Sequence, residues 1–388
     1  MLKNMLNNML NNVLKKYRFY NFDFLLVAMV VGLTIFGTIA IGMTERSEEQ
    51  IISPAIKKQI AGIVFCFCVM LIVSLIDYTF ILNFYIVFYI ANLVLLALIF
   101  TPLGKDVNGA RRWIMLPVIN RFQPSESAKI ILILFFAQFI MKYKDKVKNM
   151  GFILVCLLLL GIPAILIKKQ PDLSTCITIV IILGCMLFVA GIDWRLVAGV
   201  LVVGIIGVTL VIYAAGQGNS MFLAEYQQTR IMAWLHPEEY TSSAALQTTN
   251  SKMAIGSGQL TGKEQSEIVS ILNSGFVSES ETDFIFAVVG EEFGFIGGCG
   301  VIAFILLIAI RCFRISMIAR DKAGELFATG VGAWVGFQGL LNIGVATGVL
   351  PNTGLPLPFV SSGLTSLLCL YVGVGIVLNI RLQSNKYI

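Results

Sequence analysis

Long apolar runs separated by short polar or charged breaks dominate the chain from about Phe22 onward. A helix needs about 20 predominantly apolar residues to cross the hydrocarbon layer of a bilayer. Runs of that kind begin near Phe22, Lys58, Thr79, Ser125, Gly151, Asp172, Arg195, Asp283, Leu326 and Phe359. The pattern predicts an all-α polytopic membrane protein with about ten transmembrane helices. Composition agrees: 57% of residues are hydrophobic and 13% charged, and the mean hydropathy is +0.86. A soluble core of this size does not have such values.

Charge orients the pattern, because short cytoplasmic loops retain Lys and Arg. With both termini on the cytoplasmic side, the basic segments Lys142–Lys148 and Arg311–Lys322 fall inside, together with Lys3, Lys15, Lys16 and Arg18. Two long loops then fall outside, about residues 101–124 and 216–282, the second preceding the span that starts at Asp283. Both are long enough to build a site. This divides the chain into a cytoplasmic N-terminal segment, 1–21, and a transmembrane domain, 22–388. The N-terminal segment repeats Met-Leu-Asn-Asn with apolar pairs close to one helical face. It reads either as a helix lying on the membrane surface or as a disordered lead-in. It lacks the apolar core and small-residue cleavage site of a secretory signal.

The eight cysteines lie in or at the ends of apolar runs, where they read as small core residues rather than loop staples. The single histidine, His236, excludes a multi-histidine metal site and argues against a Ser-His-Asp triad. Chemistry therefore falls to carboxylates, Lys, Arg and hydroxyls, and the polar motifs gather at the predicted outer ends of spans.

Asp283 stands at the mouth of a long apolar run, where a charge needs a reason. At 3.6 residues per turn, Ala287, Gly290, Gly294 and Gly297 share its face to within about 40°. That small-residue strip is either a close helix contact or the floor of a groove for a lipid tail. Pro124 suits the first position of a helix and sets Glu126 and Lys129 one turn apart on one face. Alone, these two read as a dipole-compensating acid and a lysine snorkelling to the interface. Arg111 and Arg112 nearby alter that balance, since two guanidinium groups outside the membrane suit a phosphate.

Asp172, after Lys168 and Lys169, is equally explained by helix-dipole compensation and by function. The run Ala254–Lys263 has the wrong glycine spacing for a nucleotide loop, and Glu264 stands where that loop needs Ser or Thr. A flexible external loop is the default there. The Pro- and Gly-rich segment from Asn342 to Gly363 reads as a stiff connector or as an ordered turn that presents amides and hydroxyls to a ligand.

Taken together the motifs become specific. Arg-Arg-Trp-Ile at 111–114, Gln-Pro-Ser-Glu at 123–126 followed by Ala128-Lys129, Gln-Pro-Asp-Leu at 170–173, Ala-Ile-Gly-Ser-Gly at 254–258, Thr-Asp-Phe-Ile-Phe-Ala-Val at 282–288 with Gly-Glu-Glu at 290–292, and Thr-Gly-Leu-Pro-Leu-Pro-Phe-Val-Ser at 353–361 occur in this order. From about Tyr17 to the C-terminus the chain resembles the SEDS family of bacterial cell-wall polymerases, of the RodA/FtsW type. The resemblance implies a peptidoglycan glycosyltransferase in the bacterial cytoplasmic membrane. Such an enzyme polymerises lipid II on the outer face, releases undecaprenyl pyrophosphate and works with a class B penicillin-binding protein of the elongation or division machinery. Asp283 matches the essential aspartate of the family, Glu126 and Lys129 its Gln-Pro-Ser-Glu motif, Arg111 a basic position before Trp, and Asp172 the Pro-Asp-Leu acid. Four positions depart from the usual pattern: Glu281 where a His is common, Ser174 for Gly, and Ser362 and Leu364 in Ser362-Gly363-Leu364 for Tyr-Gly-Gly.

On this reading Asp283 is the general base, and Arg111, Arg112, Lys129 and Lys263 are the cations available to the departing pyrophosphate. Glu126 would orient Lys129 or Arg111, and Ser361 joins the substrate-binding set. No cofactor is required. A divalent cation beside Asp283 and Asp172 is compatible with the residues, although no metal-ligand spacing demands it. No nucleic-acid partner is expected. The rival expectations are a flippase for lipid-linked precursors, which should carry polar residues near the midplane, and a silent scaffold for a transpeptidase.

Overall fold

A computed structural model describes residues 19–44, 54–107, 110–115, 121–216, 225–239, 243–263 and 280–384. The expectation for the first eighteen residues lies outside this range, as do His-position neighbours Ser278 and Glu279. The described helices are α1 (Phe24–Thr44), α2 (Pro54–Leu75), α3 (Tyr78–Asn83), α4 (Tyr85–Leu98), α5 (Pro124–Lys142), α6 (Met150–Lys169), α7 (Leu173–Ala190), α8 (Trp194–Gly216), α9 (Glu225–Leu235), α10 (Ser243–Ser257), α11 (Ile285–Met317), α12 (Lys322–Ala346) and α13 (Leu364–Leu382).

Helices occur at all ten predicted places, but not all as single long rods. Among the described residues eight are long and apolar enough to cross a membrane by length and composition: α1, α2, α5, α6, α7, α11, α12 and α13. The predicted third run is divided into α3 and α4 at Phe84. The last helix starts at Leu364, five residues later than expected, because Pro356 and Pro358 hold the preceding chain extended or turned.

The helices have physical starts and stops. Asp77, Asn149, Asp172 and Asp321 each accept a hydrogen bond from a main-chain N–H in the first turn of α3, α6, α7 and α12. Pro124 opens α5, where its missing N–H costs nothing. Helices α5, α12 and α13 form the centre: 72–83% of the residues in their apolar windows are buried in protein, against 22% in α2 and 33% in α6. The outward side chains of α2 and α6, such as Val64, Ile72, Leu158 and Ile165, are large and apolar, as a lipid-facing surface requires. Helix α12 packs on α5, α7 and α11, while α13 packs on α2.

The described residues of the two predicted loops include regular structure. The first contains a hairpin, β1 (Gly104–Val107) paired antiparallel with β2 (Ala110–Ile114), a departure from all-α architecture. Its sequence signal is Asn108-Gly109, the dipeptide that favours a two-residue hairpin turn. The second loop carries α9 and α10, and α10 lies against α11.

Candidate active site at one end of the bundle

Asp283 sits in the turn just before α11, half-buried. Its position is set through three consecutive main-chain carbonyls. The Ser362 N–H donates to Glu281 O (2.8 Å), the Ser361 hydroxyl to Thr282 O (2.5 Å), and the Asn342 amide to Asp283 O (2.7 Å). The second amide proton of Asn342 goes to Leu355 O (2.6 Å). One side chain of α12 thus joins the Asp283 turn to the 350–363 segment. Gly354 in that segment has φ +69°, and a Cβ there would lie 3.2 Å from Asp283 Oδ2. Glycine meets both the backbone conformation and the close approach. The 350–363 segment is therefore an ordered turn, and Ser361 holds it from within by accepting the Leu357 N–H (2.7 Å).

Glu126 and Lys129 do not snorkel to the surface. Lys129 Nζ lies 2.6 Å from Glu126 Oε1, with side chains 0% and 3% exposed. The ammonium also donates to Gln338 Oε1 (2.6 Å) and stands 5.2 Å from the centre of the Trp334 ring. Gln338 accepts from Trp334 Nε1 as well and donates to Pro356 O (2.8 Å). Trp334, Gln338 and Asn342, each four residues apart on α12, form a buried polar ladder that links the Glu126–Lys129 pair to the Asp283 turn. Glu126 Oε2 is buried without a hydrogen-bond partner, an acceptor that a ligand hydroxyl or amide would satisfy. The sequence pattern does not single out Gln338, and it offers Asn342 only as the start of the 342–363 segment. Their signal is amides one turn apart inside an apolar span, since buried polar groups in membranes are costly.

Asp172 has the geometry of a cap and brace. It accepts from Thr175 N (3.1 Å), Thr175 Oγ1 (2.9 Å) and Ser125 Oγ (2.9 Å), which ties the start of α7 to the start of α5. Ser174, the departure from Gly, donates to Thr353 O and fastens α7 to the same turn.

The register of the hairpin separates the two arginines. Asp106 pairs with Arg111 and Lys105 with Trp113, leaving Arg112 as the extra residue of a bulge, and bulges re-aim side chains. Arg111 donates to Gly104 O (3.2 Å) and Thr101 O (2.6 Å). Arg112 crosses to Gln170 O (2.9 Å) and Pro171 O. Carbonyls orient a guanidinium without cancelling its charge. Lys263, by contrast, pairs with the carboxylate of Glu291 at 2.8 Å. Among the described residues no three His, Cys, Asp or Glu side chains gather as a metal site.

The small-residue strip below Asp283 is a contact surface. Gly290 faces Ile255 of α10, and Gly294 faces Leu260 and Gly262. Protein covers the strip at Gly290 and Gly294, where the close-contact alternative describes it and the lipid-groove alternative does not.

Fold and site together define a multi-pass membrane protein with an acidic centre at one end of its helix bundle. A family model described as cell cycle protein, covering FtsW, RodA and SpoVE, matches residues 20–386, and the chain belongs to that family. It is 34% identical over 377 residues to the "Probable peptidoglycan glycosyltransferase FtsW" of Trichlorobacter lovleyi, spanning 94% of each chain. The protein of the same name from Haemophilus influenzae is 35% identical, with 76% of this chain and 73% of that one covered. Among solved structures, a chain described under "Structural coordination of polymerization and crosslinking by a peptidoglycan synthase complex" superposes with a TM-score of 0.76 at 26% identity, covering 94% of this chain and 99% of that one. The Thermus thermophilus rod shape determining protein RodA gives 0.68 at 25% identity, covering 94% and 98%.

Proposed function

We propose that Asp283 is the general base with which this chain, a peptidoglycan glycosyltransferase, extends a glycan strand. The carboxylate takes the proton from the 4-hydroxyl of an acceptor lipid-linked disaccharide. The oxygen then bonds to the anomeric carbon of a donor lipid II, whose bond to undecaprenyl pyrophosphate breaks with inversion. The leaving pyrophosphate carries the electron pair, and Arg111 and Arg112, oriented by carbonyls and still charged, lie in the class of donors that stabilise it. A divalent cation held beside Asp283 would add to that neutralisation, and chelation by EDTA during polymerisation measures its share.

The observation that carries this reading is the three-carbonyl cradle of the Asp283 turn. It fixes the backbone of a half-buried carboxylate, and a base must be positioned before it can be effective. Sidedness follows from the basic segments: the Asp283 end faces outward and the Arg311–Lys322 end faces the cytoplasm. A class B penicillin-binding protein is the partner this reading expects, in keeping with a structural neighbour described as coordinating polymerisation and crosslinking.

The test is glycan-strand formation from purified lipid II by the reconstituted protein, with and without that partner. Polymer from wild type and none from Asp283→Asn, both equally folded, is the expected result. Polymer from both moves the base elsewhere. None from either, even with the partner, favours the flippase or scaffold.

A further inference from the structure

Helix α11, expected from the sequence as one continuous span, is interrupted at Gly294, where φ is 63° and ψ is −161°. A break in a membrane helix leaves N–H and C=O groups that need partners, and the external segment 258–263 supplies them. The Phe295 N–H donates to Gln259 O (2.9 Å) and the Ile296 N–H to Leu260 O (3.1 Å), while the Lys263 N–H donates to Glu291 O (3.0 Å). The two backbones nearly touch: a Cβ on Gly258 would lie 1.9 Å from Gly290 O, and one on Gly262 2.1 Å from Glu292 O. At this crossing Lys263 Nζ reaches Glu291 Oε1 at 2.8 Å, with side chains 16% and 0% exposed. Nothing in the reaction described above uses Glu291, yet a fully buried carboxylate is retained there.

We propose that Lys263 and Glu291 are positioning residues for polymerisation. Their pair locks segment 258–263 into the break in α11. The outer part of the helix, 285–293, is thereby held at its far end by the loop, as the carbonyl cradle holds its near end at Asp283. Without the pair, a Gly294 backbone with no side chain to restrain it becomes a hinge, and Asp283 moves with the helix that follows it. Lys263 then serves the internal carboxylate and not a substrate phosphate. The inference rests on Asp283 as the base.

The two roles of Lys263 separate in a double-mutant cycle, measured as initial rates of strand formation from purified lipid II by reconstituted full-length protein. Lys263→Met breaks the buried ion pair, and a shift of about 1 Å at the base lowers kcat by ~100-fold. KM for lipid II should stay within about twofold, because no substrate contact is lost. Lys263→Arg restores most of the rate. Glu291→Gln in the Lys263→Met background removes the buried charge that Lys263 faced and brings kcat back to within about tenfold of wild type, the non-additivity expected of coupled residues. A KM raised by about tenfold or more in every protein lacking Lys263, including the double variant, would overturn the proposal in favour of a phosphate contact. So would strictly additive losses in kcat. Should Lys263→Met fail to reach the membrane folded, KM of the double variant against that of Glu291→Gln decides alone. Activity in Asp283→Asn sinks the base assignment; an inactive Asp283→Asn with an additive cycle sinks the positioning pair alone.

Discussion

At the end of the bundle that carries Asp23, Asp77 and Asp321, the carboxylate oxygens themselves are the fastening points. Asp23 accepts from the Leu26 N–H and pairs with Arg311 at 2.7 Å. Asp77 accepts from Thr79 and from Gln383, and Asp321 from Gly324 and the Tyr78 hydroxyl. These contacts join α1, α3, α11, α12 and α13 into a closed end. At the other end Asp283 is gripped through main-chain carbonyls by Ser361, Ser362 and Asn342. Both ends are buried and polar, so polarity alone does not mark the site. What differs is how the main chain beside the acid is held: at the Asp283 end three consecutive carbonyls accept from Ser362, Ser361 and Asn342. A cap fastens a helix start, whereas a row of held carbonyls fixes where a side chain leaves the backbone.

Four substitutions press on this difference, in descending order of consequence. Asp283→Asn keeps the shape of the turn and removes the base, so polymerisation should fall by ~10²–10⁴-fold with the protein still folded. Asn342→Leu retains volume but releases both Asp283 O and Leu355 O. Initial rates should drop by roughly 10–100-fold, chiefly in kcat, since the base is displaced and not deleted. If the main cost is instead in KM, the cradle positions substrate. Arg112→Met removes a charge from the bulge, and kcat/KM for lipid II should fall about tenfold, in line with the loss of one charge-assisted hydrogen bond to the departing pyrophosphate. An unchanged kcat/KM would leave Arg112 as a brace on residues 170–171. Asp23→Asn, at the closed end, should cost stability of about 1–3 kcal/mol, discounted for the partial exposure of Arg311, and leave polymerisation at permissive temperature untouched. It is read by thermal unfolding beside the activity assay, and a loss of activity there would erase the contrast between the ends.

Much of this was legible from residue order. Long apolar runs announce helices because the bilayer sets their length, and basic segments announce sidedness. Asp283, Glu126 and Lys129 stood out because charges beside apolar runs are expensive. Other features depended on pairings remote in sequence. Lys129 looks like a snorkelling side chain until α12 supplies Gln338 and Trp334 to meet it. Asp172 is an acid of undecided role until Ser125 and Thr175 converge on it. The divergence of Arg111 and Arg112 comes from a one-residue bulge, a feature of register that adjacent residues in a list do not display.

Residue order is enough to place the chain in a membrane, to locate most of its helices and to choose the carboxylate to test first, because transfer of apolar and charged groups between water and hydrocarbon is a local property of each segment. Residue order does not reveal that α11 is broken at Gly294 and repaired by the 258–263 segment, that Lys263 faces Glu291, or that Asn342 holds Asp283; the folded chain does. Those outcomes rest on hydrogen-bond partners and close backbone approaches between segments far apart in the chain, which the pattern along any one segment does not specify.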